Sequence, residues 1–295
     1  MNVSSLFSFG ILIFLILGNT PLSAQKDKPK TIRLPEELIE VSGAYFATPD
    51  SLWWHNDGGH IPALICTNLK GEQIDKIPLP ALQNMDWEDL TADDRGHIYI
   101  GDFGNNLNKR QDLKIYIYRW ADGQIDSITF RYAEQNAFPP LLKDQGFDME
   151  AFFYHQGNLH LFSKHKVKHT NYLTRHYQIP AQPGDYTVRA IDSLILKKRV
   201  ITGAAISPDG KTVAMTGYNY GRFLGFFPWV KNNVFLFKGF KNNEFLKGSM
   251  RKRKAPGCIF PKQYEALDFL DNSTLYIATE RIKFFKQKAK RMRLR

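Results

Sequence analysis

Cysteine and long apolar segments are both scarce in this sequence. Its 295 residues include only two cysteines, which is far too few for a domain held together by disulfide bonds. Beyond the N-terminal region, no apolar run reaches the roughly 18 residues that a membrane-spanning helix needs. A disulfide scaffold and a helical membrane protein are therefore excluded, and the mature chain is expected to be soluble or peripherally attached to a membrane.

Large apolar side chains are abundant, and this excludes intrinsic disorder. Hydrophobic residues make up 43% of the sequence, which contains 22 Phe, 13 Tyr and 5 Trp. Side chains of this kind are buried in packed interiors. The sequence therefore predicts a globular protein with a substantial core.

The first 24 residues have the pattern of a secretory signal peptide. The apolar run from Leu6 to Leu17 is too short to span a bilayer, and small residues end at Ala24 before a polar stretch. Because no Lys or Arg precedes the apolar run, an uncleaved anchor remains the alternative. We expect an exported protein, periplasmic or extracellular, whose mature chain begins near Gln25.

Basic residues are concentrated in two short segments. Residues 281–295 contain eight basic and no acidic side chains, and residues 251–254 are four consecutive basic residues, within a formal net charge of +11. Nucleic-acid-binding proteins usually spread basic residues over a face with interleaved aromatics, so no nucleic-acid partner is expected. We interpret the segments as a solvated loop and a basic C-terminal tail, residues 286–295, that is dispensable for folding. The alternative is peripheral attraction of the tail to an anionic membrane or polysaccharide.

One pattern occurs five times: a short apolar segment with a small or acidic residue near its start, a turn, and a second apolar or aromatic segment. The pairs are 41–46 with 51–55, 87–91 with 97–101, 149–153 with 158–162, 202–206 with 212–216, and 264–268 with 274–278. Turn-forming residues separate the segments, so each pair is predicted to be a β-hairpin. Two further strand-like runs follow most hairpins, for example 113–119 and 127–132, or 233–237 and 244–246. Each repeat therefore predicts a four-stranded antiparallel sheet.

Five such sheets predict an all-β fold, a single β-propeller over residues 25–285, because a ring of sheets protects their edges. The fifth repeat keeps one clear strand after its hairpin, at 282–287. Residues 31–35, near the mature N-terminus, are expected to supply its outer strand and close the ring. A six-bladed ring with one degenerate repeat is the alternative.

Four phrases occur in order along the chain: residues 53–59 (WWHNDGG), 86–90 (DWEDL), 99–106 (YIGDFGNN) and 148–151 (DMEA). Together they resemble exported bacterial β-propeller proteins of the SdiA-regulated and phytase-like type. The resemblance implies the propeller fold and export. For activity the resemblance is only weakly specific, since a shared fold does not transfer chemistry.

The repeats also predict where polar side chains converge. In an antiparallel hairpin, the start of the first strand and the end of the second lie at the same edge. If the first strand of each blade is innermost, these edges meet at one mouth of the central channel. The first-strand starts are Ser42, Glu88, Glu150, Gly203 and Glu265. The predicted ligand-binding residues at this acidic mouth are Asn56, Asp57, Glu88, Asp102, Asn105, Glu150, Lys164, Glu265 and Glu280.

Glu88, Glu150 and Glu265 occupy one position in three repeats and are predicted to point at one another. Like charges in a narrow channel repel and are poorly solvated, which favours proton uptake or a bound cation. Oxygen ligands without a nearby cysteine suit Ca²⁺ better than Zn²⁺, so these three glutamates are the candidate metal ligands. The alternative is that each caps backbone amides or binds water at the channel rim.

Histidine and cysteine give no clear site. His55, His60, His155, His160, His165, His169 and His176 are predicted to be surface or turn residues. Cys66 and Cys258 fall in or near the first and fifth repeats, which are neighbours in a ring. A disulfide between them and two free buried thiols are both open.

Two function hypotheses follow. The leading one is an exported propeller, expected to be a monomer, that binds a ligand, glycan or protein partner at the acidic mouth. The second, suggested by the phytase-like resemblance, is a Ca²⁺-assisted hydrolase of phosphate esters or anhydrides. That reaction needs cationic side chains near the phosphate, for which Lys164 and Arg110 are the candidates. No catalytic residue is predicted.

Overall fold

A computed structural model describes residues 28–168, 171–223, 227–256, 263–282 and 285–294. Within these ranges the chain forms 21 β-strands and two short 3₁₀ helices, Leu142–Asp144 and Phe245–Lys247. None of the described helices has the length and apolar character needed to cross a membrane. The predicted signal peptide and Cys258 lie outside the described residues. The signal peptide therefore stays a prediction, and the pairing of Cys258 with Cys66 stays open.

The strands form five sheets. The first strand, β1 (Thr31–Arg33), belongs to the last blade. Blade 1 contains β2 (Val41–Thr48), β3 (Ser51–Asn56), β4 (Ala63–Asn68) and β5 (Gln73–Pro78). Blade 2 contains β6 (Trp87–Ala92), β7 (His97–Asp102), β8 (Lys114–Arg119) and β9 (Ile125–Tyr132). Blade 3 contains β10 (Asp148–His155), β11 (Asn158–Lys168), β12 (Asn171–Pro180) and, beyond β13 (Gly184–Val188), β14 (Asp192–Lys197). Blade 4 contains β15 (Val200–Ile206), β16 (Thr212–Phe223), β17 (Phe227–Lys238) and β18 (Ser249–Lys254). Blade 5 contains β19 (Tyr264–Asp271), β20 (Thr274–Thr279), β21 (Lys288–Arg293) and β1.

The five inner strands form a closed ring. Each of β2, β6, β10 and β15 contacts the next inner strand, and β19 contacts β2. Apolar side chains pack between neighbouring blades, as where Trp54 of blade 1 and Tyr276 of blade 5 join one buried cluster. This arrangement confirms the predicted five-bladed propeller of four-stranded antiparallel blades.

The N-terminal strand closes the ring. β1 pairs antiparallel with β21, with Ile32 opposite Ala289, and both side chains are fully buried. The hydroxyl of Tyr276 also donates to the carbonyl of Pro29 at 2.6 Å. The prediction that the mature N-terminus supplies the outer strand of the last blade is confirmed.

The predicted basic tail is wrong, because most of it is a strand. Residues 288–293 form β21, which pairs with β20 on one side and β1 on the other. Ala289 and Met292 are buried in different interblade clusters. The third strand of blade 5 is therefore β21 rather than residues 282–287, and the propeller extends past residue 285. Long basic side chains can cover apolar surface with their stems while their charges stay in water. A strand rich in Lys and Arg can therefore pack in the fold even though its composition is typical of a solvated tail.

The predicted basic loop at 251–254 is also a strand. It forms most of β18, the outer strand of blade 4. Residues 244–246, expected as that outer strand, are instead the N-cap and first two residues of the helix Phe245–Lys247. Charged side chains are common on outer strands because they discourage pairing with another chain.

Blade 2 has a fifth strand that the sequence did not predict. β13 leaves blade 3 and pairs parallel with β9 at the outer edge of blade 2. The side chain of Val188 is buried between the two blades. This segment covers an otherwise open edge and ties the two blades together.

Candidate functional site

Each inner strand carries a β-bulge near its start. Register shifts place one unpaired residue between Val41 and Gly43, Trp87 and Asp89, Met149 and Ala151, Ile201 and Gly203, and Tyr264 and Ala266. The extra residues are Ser42, Glu88, Glu150, Thr202 and Glu265. Bulges re-aim side chains, and here a fivefold bulge lies at the mouth where the sequence predicted acidic residues to converge.

Two of the five bulge residues hold the ring together. The Ser42 hydroxyl donates to the carbonyl of Glu88, and the Thr202 hydroxyl donates to the carbonyl of Tyr264 at 3.0 Å. Each bond joins one blade to the next. Thr202 occupies the fourth repeat position, and not Gly203 as the comparison of repeats predicted. Gly203 instead packs directly against the Glu265 backbone.

Three carboxylates meet between blades 1 and 2. One oxygen from each of Asp57, Asp86 and Glu88 lies within 4.8 Å of the others. Glycines make this approach possible, because a Cβ at Gly104 would lie 2.2 Å from Glu88 Oε1 and 2.4 Å from Asp86 Oδ2. The glycine-containing phrases of the sequence therefore pack against this carboxylate group.

Lys164 neutralises the neighbouring part of the mouth. Its ammonium group contacts Glu150 Oε1 and lies 3.6 Å from Asp148 Oδ2. Burial alone would lower the pKa of Lys164, but the carboxylates of Glu150, Asp148 and Glu88 raise it well above its usual value. Lys164 therefore stays charged at neutral pH. Burial raises the pKa of Glu150 well above its usual range, and the contact with Lys164 opposes that rise.

Blade 5 contributes a carboxyl pair. Gln263 Nε2 donates to Glu265 Oε1 at 3.0 Å and to Glu280 Oε1 at 3.4 Å. Burial raises the pKa of Glu265 well above its usual range, and the adjacent Glu280 adds to the increase. Two carboxyls this close share a proton more readily than they both ionise.

Burial dominates the protonation of the other acids at the mouth. It raises the pKa of Asp57 to about 7, with a smaller increase from Glu265 and Asp86. It also raises the pKa of Glu88 well above its usual range, and Glu150 adds to that rise. The mouth therefore offers both protonated carboxyls and carboxylates near neutral pH, and can donate and accept hydrogen bonds.

Other predicted site residues mainly hold the local structure. Asp102 Oδ1 accepts from the Asp86 amide at 3.1 Å and pairs with Arg110 at 2.9 Å. Asn105 Nδ2 donates to the Phe147 carbonyl at 3.2 Å, while its side-chain oxygen accepts from the Arg110 amide. Asn56 bridges the backbone groups of residues 37 and 40. These contacts shape the mouth from behind the acidic side chains.

Deeper in the channel, two aspartates join the inner strands. Asp89 Oδ2 accepts from the amides of Phe152 at 3.1 Å and Ala204 at 3.4 Å, which belong to blades 3 and 4. Asp268 Oδ2 accepts from the Phe46 amide of blade 1 at 2.7 Å. Asp268 also borders a cavity of about 180 Å³ at the opposite end of the channel. These acids have a structural role, because they hold neighbouring inner strands together.

The prediction of surface histidines is wrong for three of them. His55, His160 and His176 are fully buried. His160 Nδ1 lies 3.0 Å from His176 Nε2, and His176 Nδ1 lies 3.0 Å from Asp192 Oδ1. Hydrogen bonds between strands of blade 3 permit the burial of His160 and His176, and sequence spacing does not reveal these contacts. Cys66 is buried, and its burial raises its pKa to about 11.

Sequence reasoning missed Asp86, Asp148 and Gln263. A repeated signal was present, because each stands two residues before a bulge glutamate, in Asp86-Trp87-Glu88, Asp148-Met149-Glu150 and Gln263-Tyr264-Glu265. The structure brings Glu88 together with Asp57 and Asp86, whereas Glu150 faces Lys164 and Glu265 faces Glu280. The residues best placed to hold a cation thus differ from the three glutamates predicted as ligands.

The two ends of the channel differ in the length of the connections between strands. The connections 103–113 and 133–147 lie at the acidic mouth, whereas turns joining inner to second strands at the opposite end have two to five residues. Long loops around a rigid scaffold commonly carry binding residues. The acidic mouth is therefore the candidate functional site of this five-bladed β-propeller.

Comparison with known proteins shows the fold alone. No protein-family profile and no curated protein matches the sequence. The chain is similar in structure to an α-L-arabinanase from Penicillium chrysogenum complexed with arabinobiose, with a TM-score of 0.52, 8% identity, and coverage of 90% of this chain and 98% of that one. It is similar to a mannose phosphorylase from Leishmania mexicana in complex with phosphate, with a TM-score of 0.51, 10% identity, and coverage of 92% and 90% respectively. An α-L-arabinofuranosidase from Fusarium graminearum gives a TM-score of 0.50 at 9% identity, with coverage of 90% and 98%.

Proposed function

We propose that the protein binds a carbohydrate at the acidic mouth. The observation that carries this proposal is the cluster of buried carboxyl groups from blades 1, 2, 3 and 5 around one charged lysine. Carboxylates accept hydrogen bonds from sugar hydroxyls, and protonated carboxyls and Lys164 donate to sugar oxygens. The three structural neighbours above, whose names indicate action on or binding of sugars, are consistent with this ligand class.

The same groups are compatible with sugar chemistry as well as binding. Glycoside cleavage uses one protonated and one ionised carboxyl flanking the bond. Burial raises the pKa of both Glu88 and Glu150 and favours their protonated forms, and the contact of Lys164 with Glu150 opposes that rise at Glu150.

Calorimetric titration with a panel of mono- and oligosaccharides tests the proposal. We expect at least one sugar to bind, and Glu150→Gln to weaken that binding by about tenfold or more, since a hydrogen bond to a charged group contributes about 1.5–3 kcal/mol. Asp94→Asn, the same carboxyl-to-amide change on an exposed turn at the opposite end, should leave binding unchanged. Equal loss in both variants, or no binding across the panel, contradicts the proposal.

A second candidate is Ca²⁺-assisted hydrolysis of a phosphate ester. The grouping of Asp57, Asp86 and Glu88 favours it, because three carboxylate oxygens within 4.8 Å suit a hard cation. Lys164 and Arg110, the expected phosphate-binding side chains, already contact carboxylates, which weighs against this candidate. Turnover of p-nitrophenyl phosphate that depends on Ca²⁺ and is lost in Asp86→Asn supports it, and absence of turnover removes it.

We also propose that the protein is exported, is a monomer and contacts anionic surfaces peripherally. The signal-peptide pattern supports export, and the basic outer strands support the contact with anionic surfaces.

A further inference from the structure

Blades 4 and 5 present basic strands to each other at the outer rim, away from the channel. β18 and β21 each carry four basic residues, β1 carries one, and none of the three strands contains an acidic residue. As paired strands they hold these charges in fixed rows, in contrast to a loose loop and tail.

Strand register shows which basic side chains of blade 4 face blade 5. Arg251 and Arg253 lie opposite Leu236 and Val234, and both apolar residues belong to the cluster packed between blades 4 and 5. Directly opposite residues in an antiparallel pair share a face, so the two arginines face blade 5. Arg253 Nη1 donates to the Arg293 carbonyl at 2.6 Å, which shows that the two blades meet here.

The facing side of blade 5 is basic as well. Lys288 and Lys290 lie on the same face of β21 as Met292, which is buried in the cluster between blades 4 and 5. Arg33 lies directly opposite Lys288 on β1. We call this set the basic cleft; its members are Arg33, Arg251, Arg253, Lys288 and Lys290.

The cleft has the properties of an anion-binding surface. Like charges directly opposite on paired strands destabilise a sheet, as for Arg33 and Lys288, and a bound anion relieves that repulsion. Same-face residues on a strand are about 6.6 Å apart, so the charges form rows along β18 and β21. A linear molecule with repeated negative charges matches these rows.

We propose that the basic cleft binds a linear anionic polysaccharide. β1, β18 and β21 contain no aromatic residue on which nucleic-acid bases could stack. The large apolar side chain that they expose is Met250, whereas peripheral membrane binding usually adds several inserted apolar residues.

Heparin, a linear sulfated polysaccharide, is the probe, and its affinity for the full chain is measured over a range of salt concentrations. Each lost ionic contact lowers the slope of log affinity against log salt by about one. The exposed pair Arg33→Gln with Arg251→Gln should lower that slope by about two and weaken binding by tenfold or more at low salt. The control pair Lys143→Gln with Lys211→Gln removes the same charge from exposed sites elsewhere and should leave the slope nearly unchanged.

Heparin should also raise the melting temperature of the wild type more than that of the cleft variant, since a ligand of the folded state stabilises it. Equal losses in the cleft and control variants mean that net charge alone attracts heparin, and this overturns the proposal. Tighter binding to duplex DNA or to phosphatidylserine–phosphatidylcholine vesicles than to heparin, lost in the cleft variant, overturns the choice of polysaccharide.

Discussion

Asp57 shows how one residue at the mouth couples protonation to stability. Burial raises its pKa to about 7 in the folded protein from an ordinary value of 3.8. The folded state therefore holds a proton that the unfolded state releases, so this contribution to stability is fully present below about pH 4. It is lost as pH rises through about 7.

We expect Asp57→Asn to reduce the fall in stability between about pH 4 and pH 7. One proton changes the free energy of unfolding by about 1.4 kcal/mol per pH unit over such a window. Urea unfolding at several pH values measures the slope, with Asp94→Asn as the control. Identical slopes in the wild type and Asp57→Asn show that the Asp57 carboxyl does not take up this proton.

The candidate cation site gives a second prediction at the residue scale. If Asp57, Asp86 and Glu88 bind Ca²⁺, a concentration about 100 times the dissociation constant stabilises the fold by about 2.7 kcal/mol. Asp86→Asn should remove most of that gain, whereas Glu150→Gln should retain part of it because Glu150 faces Lys164. An unchanged melting temperature between excess chelator and millimolar Ca²⁺ ends the cation proposal.

Among the elements, the hairpins were predictable and the most exposed outer strands were not. Inner and second strands are buried, so their apolar patterns and turn residues show in the sequence, as for β6 and β7. The outer strands β5 and β18 are exposed along almost their whole length, and this leaves no apolar alternation to detect. The parallel pairing of β13 with β9 joins segments distant in sequence, which local patterns do not encode.

Local sequence patterns also predicted only part of the candidate site. Repeat position identified Glu88, Glu150 and Glu265, because the pattern recurs along the chain. The bulges shift register by one residue, so Gly203 was chosen in place of Thr202. The contacts of Glu150 with Lys164 and of Glu88 with Asp57 and Asp86 depend on the approach of different blades, and no local pattern fixes that distance.

β21 gives a prediction at the element scale. Deleting residues 286–295 should abolish cooperative unfolding, because it removes a strand paired on both sides and exposes the clusters that contain Ala289 and Met292. Replacing the four basic residues of β21 by Gln keeps the strand and should leave the transition cooperative. Circular dichroism during heating compares the two chains. A deletion variant that melts like the wild type shows that the segment is dispensable after all.

At the scale of the whole molecule, stability depends on joining the two ends of the chain in one blade. An open array of blades would leave the β2 and β19 sides exposed, whereas β1 brings the N-terminal segment onto β21 and completes the ring. Damage at this junction should therefore affect all blades together rather than the last blade alone.

Ile32→Asp tests ring closure directly, because Ile32 is fully buried in the cluster between blades 5 and 1. Burying an unpaired carboxylate there should cost about 4 kcal/mol or more. Tryptophan fluorescence, to which Trp53, Trp54 and Trp87 of blades 1 and 2 contribute, should report the same lowered transition as far-ultraviolet circular dichroism. Thr31→Asp is the matched control, because Thr31 is exposed on the neighbouring position of β1 and shares the face of the basic cleft. That substitution should be neutral or slightly stabilising. If Ile32→Asp instead produces two separate transitions, blade 5 unfolds on its own and the ring is not the cooperative unit.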